Sequence, residues 1–186
     1  MALTEKRQFE DAERAFREAL RLDPGYVDAL LRLGWTLAEQ HKYAEAVEAY
    51  EQALRLQGDN AAAHARLGGA LSLLGKHQEA IEICQKAVTL DPVDPDGHYN
   101  LGVALSNAGR HDEAVRAFEQ AVRLRPEWVQ PYLAMAEDLG AVNRHGEAVS
   151  AFEKAMSLDP RSLDDPDERE IYETSVRKAR DADRDS

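Results

Sequence analysis

Between Pro95 and Pro126 the apolar positions fall into two stripes of helical period. Leu101, Ala104, Leu105 and Ala108 recur at spacings of three, four and seven, which line one face of a helix. Gly109, Arg110 and His111 interrupt the pattern. Ala114, Phe118, Ala121 and Val122 then mark a second stripe, which stops before Arg125 and Pro126. Proline disfavours helical geometry in the residue before it and donates no backbone hydrogen, so Pro126 closes the unit. At the other end Asp94 is placed to cap the first amides, with Pro95 in the first helical position, where its missing donor costs nothing. The pattern predicts a helical hairpin of thirty-four residues, 95–128, with an A helix and a B helix.

The same pattern recurs before and after it. Steps of thirty-four residues give the ladders Leu33, Leu67, Leu101, Met135; Gly34, Gly68, Gly102, Ala136; and Ala12, Ala46, Ala80, Ala114, Ala148. They continue with Phe16, Tyr50, Cys84, Phe118, Phe152, then Ala19, Ala53, Ala87, Ala121, Ala155, and Pro24, Gly58, Pro92, Pro126, Pro160. Small residues recur where two helices must approach closely, and large ones where the space between hairpins must be filled. With its Leu-Gly pair followed by Ala, an aromatic, Ala and Pro at these offsets, the chain resembles the tetratricopeptide repeat family over residues 1 to about 162. The resemblance implies an all-α fold, a right-handed α-solenoid of stacked helix-turn-helix repeats. It says little about function, because such repeats serve unrelated partners.

Taken in order, the chain divides into a partial first repeat at 1–24, full repeats at 27–60, 61–94, 95–128 and 129–162, a capping helix at 165–182 and a frayed tail at 183–186. The first hairpin is expected to hold a whole B helix, Glu10 to Leu22, after only the tail of an A helix, with a frayed start. Ala12, Phe16 and Ala19 then leave part of an apolar face uncovered, which invites a partner or a second copy of the chain. Gly58 replaces the closing proline of the second repeat, with Asn60 as the next cap. Pro131 in the fifth repeat predicts a slightly shifted A helix. After Pro160 the register breaks, and Asp165, Pro166, Asp167 and Glu168 signal a new helix start. Its stripe of Ile171, Tyr172, Val176 and Ala179 fits a helix that covers the last hairpin, as the ends of a solenoid require.

Composition narrows the partners. The 186 residues carry 35 acidic and 23 basic side chains, a formal net charge of −12. A surface for nucleic acid or an anionic membrane needs a basic stripe, so neither is expected, and protein partners should be basic or apolar. Cys84 is the only cysteine, no apolar leader opens the chain, and no run of about eighteen apolar residues occurs, which together predict a single cytoplasmic solenoid.

His77, His111 and His145 share one repeat position, but stacked hairpins lie roughly 8–10 Å apart, too far for one zinc. The family pattern has a tyrosine in this turn, so packing is the favoured role. His64 and His98 stand where the family often has tryptophan. Cys84 stands on the aromatic rung and is expected to be an inert core thiol. With no glycine-rich phosphate loop, Ser-His-Asp arrangement or HExxH motif, no catalytic residue, metal or cofactor is assigned, and the chain is read as non-catalytic.

The informative surface is the one that the resemblance assigns to the inner face of the A helices. There Leu31, Trp35, Tyr99, Val103 and Leu133 give an apolar strip around Gly69, rimmed by Arg32, Arg66 and Asn100, with Glu137 in the last full repeat. These ten residues are the candidate groove for an apolar or amphipathic peptide, with Trp35 as anchor. The alternative for Trp35 is a ring folded against a neighbouring helix. Two specialised uses of the family, a carboxylate clamp and an asparagine ladder, are not supported: only Arg66 fits the first and only Asn100 the second. Three functional readings follow: a peptide-binding scaffold, a self-associating scaffold, and the recognition arm of a larger enzyme.

Overall fold

A computed structural model describes residues 3–185, with side chains from 7 to 182. Every regular element among them is a helix: α1 Leu3–Leu22, α2 Val27–Glu39, α3 Tyr43–Leu56, α4 Ala61–Leu73, α5 His77–Leu90, α6 Pro95–Asn107, α7 His111–Leu124, α8 Val129–Ala141, α9 His145–Leu158 and α10 Pro166–Asp185. The even-numbered helices α2 to α8 are the A helices and the odd-numbered α3 to α9 the B helices. Contacts group the chain into two units, one ending at Pro92 and one beginning at Val93. Each unit is a stretch of all-α solenoid.

Local chemistry sets the helix ends. The Asn60 side chain accepts from the Ala63 amide at 2.9 Å, Asp94 from Asp96 at 3.1 Å and Asp165 from Asp167 at 2.9 Å, the caps that the sequence signals predict. At the other end of each A helix the amide of Lys42, Lys76, Arg110 or Arg144 reaches back to Leu37, Leu71, Leu105 or Leu139. This closure requires a left-handed residue just before it, supplied by Gly75 and Gly109 and, against preference, by His41 at φ 59° and Asn143 at φ 62°.

Two expectations change at the N-terminus and in the fifth repeat. No turn separates an A-helix tail from a B helix before Glu10; α1 is one helix of 20 residues. The position matching His41 and Gly75 holds Arg7, a good helix former, so the helix runs on. Pro131 does not shift α8, which begins at Val129 as the thirty-four-residue step requires, because the first-turn amides have no partner in the helix anyway. At the far end α10 continues to Asp185, past the expected end at 182; Ser186, with the rest of the expected tail's side chains, lies outside the described residues. The start expected to fray includes Met1 and Ala2, which also lie outside.

In the first unit the core is built from Leu30, Leu33, Leu37, Tyr50, Leu67, Leu71 and Cys84; in the second, from Leu101, Leu105, Phe118, Leu139, Phe152 and Leu163. Ile171 and Tyr172 of α10 pack on the cluster of Leu139, Phe152 and Leu163, and the Tyr172 ring meets Phe152 edge-on at 5.7 Å. The Arg169 guanidinium donates twice to the Leu163 carbonyl, at 2.9 and 3.1 Å. α10 is therefore a docked helix.

Candidate functional site

All ten groove candidates lie on A helices, and none is buried. In the first unit α2 carries Leu31, Arg32 and Trp35 and touches α4, which carries Arg66 and Gly69. Spacings of one and four residues turn Leu31, Arg32 and Trp35 toward one side of α2. Trp35 keeps 49% of its surface in water while its ring meets Phe9 of α1 edge-on, with centroids 5.8 Å apart. It is thus braced by a neighbouring helix and still half open. Leu73, one turn beyond Gly69, is also largely exposed. Arg32 and Arg66 are exposed guanidinium groups with no ion pair among the described residues.

In the second unit α6 carries Tyr99, Asn100 and Val103 and touches α8, which carries Leu133 and Glu137. Here the aromatic residue is engaged. Tyr99 tilts against Phe118 at 5.8 Å and against Trp128 at 4.7 Å; burial and then the charge of Glu137 push its hydroxyl pKa up. The Arg125 guanidinium stacks over Trp128 at 4.7 Å and pairs with Asp96 at 3.2 Å. Leu133 packs against the buried cluster and offers only part of its side chain. Trp128 and Arg125 escaped the sequence reading because they sit in the loop between hairpins, outside the ladder positions.

Two buried acids were also missed. Asp138, 2% exposed, stands in the ladder Thr36, Ala70, Ala104, Asp138, where the other members are small. One of its oxygens, Oδ1, accepts from the Ser106 hydroxyl at 2.9 Å and meets His111 Nδ1 at 2.6 Å; Oδ2 is buried without a partner. Serine, histidine and aspartate do come together here, contrary to the sequence reading. Their wiring is not that of an acyl-transfer triad: the hydroxyl is spent on the carboxylate and does not face a ring nitrogen able to take its proton. Glu13, on α1, replaces the aliphatic residues of Val47, Ile81, Val115 and Val149 and is buried. Burial pushes its pKa up, but Lys42 and Gln40, each donating at 2.8 Å, and the charge of Arg17 hold it below the ordinary value. In both cases the only sequence signal was an acid in an apolar ladder.

His64 and the cysteine have structural surroundings. His64 is buried with Nε2 donating to the Gly58 carbonyl at 3.0 Å, and burial lowers its pKa, so the ring is neutral. Cys84 is fully buried, and burial pushes its thiol up to about 12, far from a reactive thiolate.

Profiles of the tetratricopeptide repeat match residues 1–47, 31–95, 95–127 and 132–162. The chain belongs to the tetratricopeptide repeat family. No curated protein sequence matches it. Among solved structures, the crystal structure of MamA is similar at 28% identity with a TM-score of 0.69, over 89% of this chain and 99% of that one. MamA 41-end from Desulfovibrio magneticus RS-1 is similar at 25% identity and TM-score 0.70, over 87% of this chain and 91% of that one. TTC0263, a thermophilic TPR protein in Thermus thermophilus, shares the fold at 22% identity and TM-score 0.76, over 94% of this chain and 93% of that one. Among the described residues no helix is long and apolar enough to cross a membrane.

Proposed function

We propose that this tetratricopeptide repeat chain is a non-catalytic protein-interaction scaffold whose A helices bind an apolar or amphipathic peptide segment through side chains. The observation that carries the reading is Trp35, a large ring braced against Phe9 yet 49% exposed on the surface that also bears Arg32. Helices satisfy their own backbone groups, so a wall of helices selects through side chains. Aromatic residues and arginine are the usual carriers of binding energy, and Trp35, Arg32 and Arg66 supply both. A peptide selected from a display library on the full chain should lose about 2 kcal/mol or more of affinity, some thirtyfold, with Trp35→Ala. Its free-acid and amidated forms should bind alike in calorimetry. Indifference to Trp35→Ala with strong dependence on the terminal carboxylate would overturn the reading.

A second reading, self-association through α1, rests on one rung of the repeat. Tyr50, Cys84, Phe118 and Phe152 are 0–2% exposed, whereas Phe16 at the matching position is only half-buried, as are Ala12 and Ala19. Sedimentation of the full chain and of Phe16→Glu tests it: a dimer that dissociates in the variant supports the reading, and a wild-type monomer at high concentration removes it.

A further inference from the structure

Between α8 and α10, with the start of α9 at one end, lies a cleft of about 430 Å³. Its wall carries three carboxylates, Glu137 from α8 and Asp167 and Glu170 from α10, and one amine, Lys178. None of the three acids has an ion pair among the described residues. Loss of water, then the charges of Glu168, Asp138 and Asp165, raises the pKa of Glu137; loss of water and Asp165 raise that of Glu168. Unmatched negative charge is therefore concentrated here, next to the docked helix.

Acids alone would be a solvated face. An independent feature sets this place apart: Ser175, 2% exposed, lines the cleft, and its hydroxyl has no hydrogen-bond partner among the described residues. Gly140 lies beside it: a Cβ built there would stand 3.6 Å from the Ser175 hydroxyl, in ordinary contact, so no side chain of α8 covers the hydroxyl at this point. His145 lines the same cleft; its Nδ1 is buried and unpartnered, and burial followed by Lys178 lowers its pKa, which keeps the ring neutral. A hydroxyl without a protein partner and an imidazole with a buried, unpartnered nitrogen thus line the same cleft as the carboxylates. Buried polar groups without partners cost free energy until something bonds them.

We propose that this cleft receives the guanidinium of an arginine side chain on a partner protein. Five donors in a planar fork suit carboxylates carried on two helices, and charge-assisted bonds of this kind are about twice as strong as neutral ones. The inference rests on the reading of the chain as a protein-binding scaffold and adds the chemistry of one partner residue.

The test titrates the ¹⁵N-labelled full chain with the blocked tripeptide acetyl-Gly-Arg-Gly-amide and with its citrulline counterpart, which keeps the shape and loses the charge. Saturable amide shifts confined to residues 137–145 of α8 and α9 and 167–178 of α10 are expected with arginine, and binding at least about fivefold weaker with citrulline. The double variant Glu137→Gln, Glu170→Gln should weaken the arginine response at least about fivefold while leaving the rest of the spectrum in place. No saturable shift, shifts spread over other acidic faces, or equal binding of the two peptides would overturn the proposal. Equal peptides are decisive even if the variant folds poorly, because that comparison uses the wild-type chain. Failure here leaves the Trp35 experiment standing, so the two readings fall separately.

Discussion

At the scale of the residue, one missing methyl group decides how two helices of a hairpin approach. A Cβ built at Gly102 would lie 2.5 Å from the Phe118 ring, and one at Gly34 would lie 2.5 Å from Tyr50. Gly102→Ala gains about 1 kcal/mol of helix propensity, but overpacking a filled core costs about 1–3 kcal/mol. Phe118 is fully buried, so the overpacking term wins and a net loss of up to about 2 kcal/mol is expected in a urea titration. A variant as stable as the parent would show that the ring shifts freely. In the last full repeat the same position is Ala136, buried beside Phe152, and there Ala136→Gly should be the destabilising change, by about 1 kcal/mol or more. These ladder residues were legible because their period exposes them. Asp138 and Glu13 were not: a single acid in an apolar ladder does not say which partners it finds, and Ser106 and His111 arrive from other helices, Gln40 and Lys42 from the turn between α2 and α3. Tyr99 was legible as an aromatic on the A-helix surface, but its stacking on Trp128 depends on how a loop folds back.

Elements follow from caps and breakers more than from stripes. Asn60, Asp94 and Asp165 start their helices through side-chain bonds that the sequence announces, whereas α1 was misread because a stripe cannot say whether Arg7 turns the chain or continues the helix. The C-terminal helix is the element whose role is most testable. It lays Ile171 and Tyr172 over the cluster of Leu139, Phe152 and Leu163, so removal of residues 165–186 should expose that cluster and lower melting temperature and solubility together. An unchanged melting curve would refute the cap. Inside the second unit the rung has larger consequences: Phe118→Ala should cost about 3–5 kcal/mol, and a loss below about 1 kcal/mol would contradict its complete burial.

Over the whole molecule, charge gives stability a pH profile whose two limbs have different owners. The net charge of −12 disfavours compaction near neutrality, and Glu137 and Glu168 add local repulsion beside α10. Their folded-state pKa values are raised, so the folded chain binds these protons more tightly than the unfolded one. Stability therefore rises as pH falls from 7 through those values. Glu13 works the other way: its pKa is held below the ordinary 4.5, so its stabilisation is present above 4.5 and is lost as pH falls through the folded value. The pairs of Glu18 with Arg21, Glu113 with Arg110 and Glu147 with Arg144 have the same sign, but the acids are in or near water and contribute little. A shallow maximum between neutrality and the ordinary carboxylate value of 4.5 should appear in urea midpoints measured from pH 4 to 8. Glu137→Gln with Glu168→Gln should flatten the limb on which stability rises as pH falls from 7, while Glu13→Gln should reduce the acid limb and lower stability at neutrality. A midpoint that falls steadily from pH 7 to 5 in the parent chain would contradict the assignment, because it would require the lowered acids to outweigh the raised pair in a range where they remain ionised.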